Sequence, residues 1–442
     1  MTTVQKENDA IHTIPDIAPE LERGPKWLRN RRYQSRDDFN AMPLPRRGLH
    51  FWRYTDPSKY LIDRNAITDT AFDKNRDQIH ADLHRQLADG HLSGLVLDLG
   101  GREIIIETSE SLDKAGVVIC RLSEAVETHS ELVEKYLYKL VNSATGKFEA
   151  MNGALWNDGI FIYVPNGKTI EQPIHLMRES GLANSVQFPR LLTVIGENAE
   201  VTLVDEYSGG APDIDNGVSY GNGAVEIFGL ANSRTRYVTV QRHENGMLCY
   251  LTHRAQIEAG ATMLTIPLAF GSSLSKASYG VTLNGKNSES NMYGLLFGKE
   301  HQHFDNHTLH HHAVGETTSN IDFKVVVRDK ANSAYTGLIR IDHSAKTCEA
   351  YQENRNLLLN RGAKAETIPE LEILNEDVRC SHGATVGQID PEAIFYLKAR
   401  GIDQSTAVRI IVAGFVASTL DRLPGDLKDR ITDYVMQRLE DI

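Results

Sequence analysis

Short apolar runs, separated by small and polar residues, dominate the chain from about residue 146 to residue 390. Examples are GIFIYVPNG, RLLTVIGENAEVTLVDEY, AVEIFGLANSRTRYVTVQR and YTGLIRID. Apolar runs of this kind, bounded by turn residues, predict β-strands. Turns such as GENAE, EAGAT and DKANS each set Gly or Asn beside a small residue ahead of the next strand. This region is therefore predicted to be mainly β.

The recurrence of similar turns favours a β-solenoid, in which each strand pairs with its equivalent in the next coil and small residues fit the tight corners. Two-residue Asn-Gly turns that join alternating strands would indicate hairpins, and they are not a regular feature of this region. The spacing of the turns is irregular, however. The pattern alone therefore leaves a β-sandwich open as the alternative fold.

Helical patterns flank the β region on both sides. We assign residues 1–90 to an N-terminal helical region, 91–390 to the β core with one helix near 130–142, and 391–442 to a C-terminal helical region. Asp403 is the predicted N-cap of the stretch QSTAVRIIVAGFVASTLDRL. We expect the C-terminal helices either to cover the last coil of a solenoid or to bind a partner.

The charge and the cysteines narrow the class of protein. A formal net charge of −12 argues against nucleic acid or an anionic membrane as the main partner, because both attract a basic surface. The sequence has no apolar window of about 18 residues, and its N-terminus lacks the order of a secretory signal. The four cysteines form no C-x-x-C pair. We therefore expect a reduced, cytoplasmic protein that binds neither nucleic acid nor membrane.

Common catalytic motifs are missing from the sequence. It contains no G-x-x-x-x-G-K-[ST] phosphate loop, no G-x-S-x-G nucleophile elbow and no H-E-x-x-H zinc motif. We therefore do not expect this chain to bind a nucleotide through a P-loop or to be a hydrolase of those classes.

The stretch KEHQHFDNHTLHHHAVG contains six histidines between His301 and His312. Side chains alternate along a strand, so His310 and His312 would share one face. Imidazoles on a common face often bind zinc, iron or copper. Polar residues on the outside of a solenoid would give the same pattern without a metal. His312 is the candidate metal ligand.

The stretch DVRCSHGATVG places Cys380 two residues before His382. On a strand the two side chains share a face with their Cα atoms about 6.5–7 Å apart, so thiolate and imidazole could meet at one iron or zinc ion. Two ligands hold a metal weakly, and an isolated cysteine is also commonly a small buried hydrophobic residue. The residues by themselves leave both interpretations open.

The longer stretch DVRCSHGATVGQIDPEAIFYLKARGI closely resembles the signature of the SufB/SufD family, subunits of the SufB–SufC–SufD complex that assembles iron–sulfur clusters. Three further segments are similar to family elements: WRYT, FEAMNGALWNDGIFIYVPNGKTIEQPIHL and QENRNLLLNRGAKAETIPELEI. Asp305, Thr308 and His312 match the pattern D-x-x-T-x-x-x-H. The resemblance extends over essentially the whole chain in the family's order.

The resemblance implies a right-handed parallel β-helix (β-solenoid) with helical regions at both ends. It also implies a non-catalytic scaffold subunit that pairs with SufB, binds the ATPase SufC through the C-terminal helices, and carries no nucleotide itself. The isolated chain could also pair with a second copy of itself.

In the family, a Cys and a His of the signature help to build the nascent cluster, and they match Cys380 and His382. The resemblance therefore implies a transient iron–sulfur cluster shared with SufB, and a contribution to iron acquisition. SufB-type chains have a Cys where this chain has Ala363 and a Glu where it has Gly383. These departures favour the SufD branch and imply an incomplete ligand set.

Two alternatives remain. A metalloenzyme or carbohydrate-acting protein on a β-helix could use the histidines between His301 and His312. It would hold metal tightly as an isolated chain. A purely structural dimerisation subunit would differ from the scaffold only in that Cys380 would be dispensable.

Overall fold

The computed structural model describes residues 13–16, 18–61, 76–100, 103–181, 185–212 and 218–440. The strands are β1 (Gly94–Leu99), β2 (Glu103–Thr108), β3 (Val118–Arg121), β4 (Gly159–Val164), β5 (Ile174–Ser180), β6 (Val186–Gln187), β7 (Arg190–Ile195), β8 (Glu200–Gly209), β9 (Ser219–Gly229), β10 (Arg234–Gln241), β11 (Met247–Ile257), β12 (Thr262–Ala269), β13 (Leu274–Leu283), β14 (Glu289–Gly298), β15 (His303–His312), β16 (Thr318–Val327), β17 (Asn332–Ile341), β18 (Cys348–Leu358), β19 (Lys364–Ile373) and β20 (Val378–Gln388).

The α-helices lie before, among and after these strands. They are α1 (Lys26–Ala41), α2 (Arg76–Ala88), α3 (Glu110–Ala115), α4 (Leu122–Thr128), α5 (Ser130–Tyr136), α6 (Lys147–Leu155), α7 (Pro391–Lys398), α8 (Gln404–Leu420) and α9 (Gly425–Gln437), with short 3-10 helices at Pro19–Glu22, His50–Trp52, Pro57–Tyr60 and Ser143–Thr145. Within the described residues, no helix is both long enough and apolar enough to cross a membrane.

From β8 to β20, consecutive strands alternate between two sheets. Sheet A has the order β2-β1-β5-β8-β10-β12-β14-β16-β18-β20, and sheet B the order β19-β17-β15-β13-β11-β9-β7-β4-β3. The β1–β2 and β3–β4 pairs are antiparallel, and the other ladders between these neighbours are parallel. Parallel pairing between strands one coil apart confirms the β-solenoid and excludes the sandwich.

The solenoid interior is filled by the inward side chains of both sheets. Leu203 and Tyr237 of sheet A and Val281 of sheet B belong to one apolar cluster and are each 0% exposed. Side chains alternate along each strand, so the equivalent positions of successive coils stack on the same face. The interior therefore contains successive apolar clusters along the solenoid.

The C-terminal helices pack against the outer face of sheet A. Val412 and Val416 of α8 lie in one apolar cluster with Val240, Leu268 and Phe297 of the sheet. For α8 and α9 the expectation that these helices cover the last coil is wrong, because their apolar faces are buried along the side of the solenoid. The predicted N-cap is confirmed: the Asp403 side chain accepts a hydrogen bond from the Thr406 N–H.

The N-terminal region covers part of the outer face of sheet B. Trp52 stacks on Tyr250 of β11 with a distance of 5.8 Å between ring centroids. The buried Lys276 of β13 donates hydrogen bonds to the Phe51 carbonyl oxygen at 2.6 Å and to Asp305 Oδ2 at 2.7 Å. The WRYT segment is thereby fastened to the solenoid by both apolar and charged contacts.

The helix expected near 130–142 is shorter than predicted, since α5 ends at Tyr136. The buried carboxylate of Glu226 accepts hydrogen bonds from the N–H groups of Tyr138, Leu140 and Val141, at 3.0, 2.8 and 3.1 Å. These N–H groups therefore bond to a carboxylate of β9 instead of helical carbonyls, which ends the helix early.

Candidate functional site

The last coil of the solenoid, formed by β19 and β20, is open to solvent. Each strand ends its sheet and pairs on one side only, with β17 or β18, within the described part of the chain. Ile373 of β19 and Val386 of β20 are 38% and 44% exposed, whereas Ile341 in the preceding coil is 0% exposed. The interior is therefore exposed at this end.

Cys380 and His382 lie on β20, on the face that points into the solenoid. Cys380 pairs in register with Ala350 of β18, and His382 pairs with Gln352. Ala350 and Gln352 are 5% and 0% exposed inside the preceding coil. Because register neighbours of parallel strands share a face, the predicted common face of Cys380 and His382 is present at the open end.

The Cys380 side chain is half-buried and packs against the end of the apolar core, beside Leu371 and Cys348. Burial raises the pKa of the Cys380 thiol to about 11, and the neighbouring Cys348 contributes to the increase. The ligand form of cysteine is the thiolate. Metal binding at Cys380 must therefore displace a proton from a thiol that is neutral at physiological pH.

The pair has few partners within this chain. Among the described residues, no group of three or more His, Cys, Asp and Glu side chains is placed to hold a metal ion. Iron–sulfur clusters are held mainly by thiolates, with imidazole as an occasional replacement. Cys380 and His382 thus have suitable chemistry for part of a cluster site but supply only two ligands.

The histidines of β15 are divided between the two faces of the strand. His310 and His312 share a face, as predicted from the alternation; this face points inward, and both side chains are 0% exposed, so the alternative that places them outside the solenoid is wrong. The outward histidines bond to other groups: His303 Nε2 lies 3.1 Å from Thr55 Oγ1, and His311 Nε2 lies 3.0 Å from Asp342 Oδ2. The histidines therefore do not converge on one point.

Each ring nitrogen of His312 lies within hydrogen-bond distance of a hydroxyl group. Its Nδ1 lies 2.7 Å from Thr317 Oγ1, and its Nε2 lies 2.8 Å from Ser319 Oγ. Burial lowers the pKa of His312 to about 4. A metal at His312 would have to replace one of these hydrogen bonds, and the metal role of this residue stays a prediction.

The other members of the D-x-x-T-x-x-x-H pattern lie on opposite faces of β15. Asp305 points outward and accepts hydrogen bonds from Thr55 and Lys276, at 2.7 Å each. Burial opposes ionisation of Asp305, but hydrogen bonding from His307 and the charge of Lys276 lower its pKa below the usual range. Thr308 points inward, with its hydroxyl 2.7 Å from the Tyr335 hydroxyl. Asp305 thus fastens the N-terminal region.

Gln352 is a neighbour of the candidate pair that the sequence analysis did not single out. It lies one coil before His382 on the same face. In the sequence, Gln352 is marked only by its separation of 30 residues from His382. This separation is informative only when the pairing of β18 with β20 is known.

Comparison with known proteins identifies the family. A family model described as the SUF system FeS cluster assembly SufBD core domain matches residues 177–415. A second model, the SufBD protein N-terminal region, matches residues 103–176. The chain belongs to the SufBD family. SufBD proteins take part in iron–sulfur cluster assembly, which agrees with the resemblance of the signature around Cys380.

The similar curated proteins carry family names. The iron–sulfur cluster assembly protein SufB of Bacillus subtilis is 26% identical over 429 residues, which cover 95% of this chain and 91% of that protein. SufBD family proteins of Staphylococcus saprophyticus and Staphylococcus epidermidis are each 25% identical, over 91% and 95% of this chain and 87% and 91% of their own lengths.

Proposed function

We propose that this chain is a SufD-type scaffold subunit of a SufB–SufC–SufD complex, and that Cys380 and His382 supply part of the nascent cluster site at the interface with SufB. One observation carries the proposal: a thiol and an imidazole lie on the inward face of an uncovered last coil. A second chain placed against this end would add ligands and cover the exposed interior at the same time.

The open coil has the properties of a protein interface. The unpaired edges of β19 and β20 present backbone N–H and C=O groups that another strand can bind. The exposed apolar side chains Ile373 and Val386 lie at the same end. Terminal coils of solenoids need covering to protect their cores. A SufB-type subunit is the proposed occupant, with a second copy of this chain as the occupant when SufB is absent.

The assignment to the SufD branch rests on two positions. A side chain added at Gly383 would meet no atom within 4 Å, so packing does not dictate glycine there. Ala363, where SufB-type chains have Cys, is 5% exposed inside the solenoid. A chain without the Glu and the Cys would depend on its partner to supply those ligands.

The C-terminal helices are the proposed binding region for SufC. Phe395 and Tyr396 of α7 are 73% and 56% exposed, and Ile410 of α8 is 46% exposed. Aromatic side chains are enriched in protein interfaces and often dominate binding. ATP hydrolysis would occur in SufC, and movement of α7 and α8 would reach the cluster site through the adjoining β20. This chain would be non-catalytic.

The test of the cluster site uses the complete complex. Cys380→Ala and His382→Ala are each purified with SufB and SufC, and iron and sulfide are measured after assembly. The matched control is Ser381→Ala, on the same strand but on the opposite, exposed face. We expect loss of iron and sulfide in both site variants and none in the control. Full loading of an intact C380A complex would refute the site.

Metal analysis of the isolated chain distinguishes the scaffold from a histidine-cluster metalloenzyme. The scaffold proposal expects little bound iron or zinc after dialysis, because the described residues offer no set of three ligands. Tight metal that is lost in a His312→Gln variant would favour the metalloenzyme. The contribution to iron acquisition stays part of the proposal, tested by iron loading of the complex containing that variant.

A further inference from the structure

We propose that His243, Met247 and Cys249 form a binding site for one copper(I) ion inside the solenoid, at the corner between β10 and β11. The three residues lie in the segment HENGMLC, so an imidazole and two sulfur donors come from seven consecutive positions. The site is separate from Cys380 and His382 on β20, and it does not depend on the proposed function.

The turn between β10 and β11 brings the three side chains to one cavity. β10 ends at Gln241 and β11 begins at Met247, so His243 lies in the corner and the two sulfur residues lie on the strand. Met247 and Cys249 are two positions apart and therefore share the inward face of β11. All three side chains line a cavity of about 40 Å³. Donors that are close in sequence thus face a common space that is large enough for an ion.

The imidazole and the thiol are already at the separation of two ligands on one ion. Cys249 Sγ lies 3.3 Å from His243 Nδ1. Bonds of about 2.3 Å to sulfur and about 2.0 Å to nitrogen, at an angle of about 100–120°, place the two donors about 3.3–3.7 Å apart. Binding breaks the S–H bond of Cys249 and forms a Cu–S bond, and the proton passes to solvent.

Met247 supplies the third donor. Its side chain is 1% exposed and packs against two glycines: a Cβ added at Gly210 would lie 3.3 Å from its sulfur, and one added at Gly221 would lie 2.8 Å from its terminal carbon. The unbranched side chain has three rotatable bonds, so its sulfur can adjust toward the cavity. The described residues offer no triad of His, Cys, Asp and Glu, and a thioether is what completes this one.

The charge of the site favours a monovalent soft ion. Burial lowers the pKa of His243 to about 3 and raises the pKa of Cys249 to about 12, so both groups are neutral at physiological pH. Copper(I) on one thiolate, one imidazole and one thioether carries no net charge, whereas zinc or iron(II) would leave a positive charge buried, which is costly. Thiolate and thioether ligands also select copper(I).

The charged groups around the site do not alter this balance, because they are already paired. The Arg178 guanidinium, which lines the cavity, is paired with Asp205 at 2.6 Å, and Arg242, next to His243, is paired with Glu206. No carboxylate lines the cavity to compensate the second charge of a divalent ion. The pairing therefore leaves copper(I) as the ion that fits.

Gln241 has the contacts of an outer partner for the sulfur. Its Nε2 donates to Cys249 Sγ at 3.6 Å, and its Oε1 accepts a hydrogen bond from the Gly271 N–H at 2.8 Å. Hydrogen bonds from groups around a metal site orient the ligands and tune the metal. The amide is thus fixed by the backbone on one side and directed at the thiolate on the other.

The test measures copper(I) binding to the full chain without SufB or SufC. Every protein carries Cys380→Ala, which removes the thiol of the open end, and is titrated without oxygen against the chelator bathocuproine disulfonate. We expect one ion per chain. Losing an outer partner lowers metal affinity by about 10–100-fold, so losing a direct ligand, in Cys249→Ser or His243→Gln, should lower it by about 100-fold or more. No binding by C380A, or equal affinity after either substitution, overturns the site.

Two further variants supply the control and test the third ligand. Cys120→Ser removes another buried thiol, on β3, and should leave copper binding unchanged. Met247→Leu keeps the volume of the core and removes only the thioether, so it tests the site even where the loss of Cys249 perturbs folding. We expect about 10-fold weaker binding in M247L, because a neutral thioether is a weaker ligand than a thiolate. Unchanged affinity in M247L, or an equal loss in C120S and C249S, contradicts the proposal.

Folding and ligand identity are checked on the same samples. Copper should raise the unfolding temperature of C380A but not that of C380A/C249S, since an ion stabilises the folded state that it binds. X-ray absorption of the bound copper should show sulfur at about 2.3 Å and nitrogen at about 2.0 Å. Equal stabilisation of the two proteins, or a shell of sulfur without nitrogen, would overturn the assignment.

Discussion

The middle coils and the last coil of the solenoid are made from the same kind of strand but have opposite relations to solvent. Ile341 and Ile373 are register partners on the inward face, one coil apart, and their exposed fractions are 0% and 38%. The middle coils have neighbours on both sides, and the last coil has one. We therefore expect the middle coils to contribute most to the free energy of unfolding. The last coil is the part that we expect to bind a partner.

Charged pairs follow the same division. Arg190 and Glu226 are both 0% exposed and are joined at 2.8 Å between Nη2 and Oε2. Arg379 and Glu349, on the outer face of the last two strands of sheet A, form a pair at 3.2 Å with side chains that are 87% and 58% exposed. Buried pairs are costly to break, whereas exposed pairs contribute little.

The largest effect is expected from Glu226→Ala. It leaves the Arg190 guanidinium buried without its carboxylate and removes the acceptor for three backbone N–H groups. We expect a loss of about 3–5 kcal/mol in the free energy of unfolding, measured by urea denaturation. Glu349→Ala is the control, with an expected loss of about 0–1 kcal/mol. Equal losses in the two variants would contradict the expected difference between the buried and the exposed charged pair.

The next effect compares Ile341→Ala with Ile373→Ala. The residue type and face are the same, so the comparison isolates the coverage by a further coil. We expect Ile341→Ala to cost about 2–5 kcal/mol in the isolated chain and Ile373→Ala less than half of that. A cost for Ile373→Ala as large as that of Ile341→Ala would mean that the last coil is already covered, for example by self-association.

A further effect concerns how the stability responds to acid. Burial lowers the pKa of His310 to about 3, whereas an unfolded histidine titrates near 6.5. As the pH falls below about 6.5, the unfolded state gains a proton that the folded state does not, so the stability falls by about 1.4 kcal/mol per pH unit for this histidine. The loss continues until the pH reaches the folded pKa.

His310→Gln should therefore flatten the dependence of the unfolding free energy on pH between about pH 6 and pH 4. Ser290→Ala is the control: it removes the hydroxyl 3.1 Å from His310 Nε2 but no titrating group. It should lower the stability without changing the slope. An unchanged slope in H310Q would show that His310 is protonated inside the solenoid.

The smallest effect on stability is expected for Val386→Asp at the open end. Val386 is 44% exposed, so the isolated chain should lose less than about 0.5 kcal/mol in unfolding free energy. Association with the partner should weaken by at least 10-fold in a binding titration, since a charge would enter an apolar interface. Unchanged association would place the interface elsewhere.

Local sequence patterns predicted a large part of the fold. The apolar runs and small-residue turns correspond to strands such as β10 and β17, and Asp403 caps α8 as expected. These features depend on neighbours within a few residues, which is why a pattern can reveal them. The early end of α5 was not predictable, because it depends on Glu226, about ninety positions further along the chain.

The candidate site shows the same boundary between local and distant information. The sequence by itself determined that Cys380 and His382 share a face, since alternation along a strand is a property of the backbone. Only the tertiary structure decided that this face belongs to the last, uncovered coil and that Gln352 lies behind His382. The reason is physical: which strands become neighbours, and which end stays open, depends on how all the coils stack and on where the helices find apolar surface to cover.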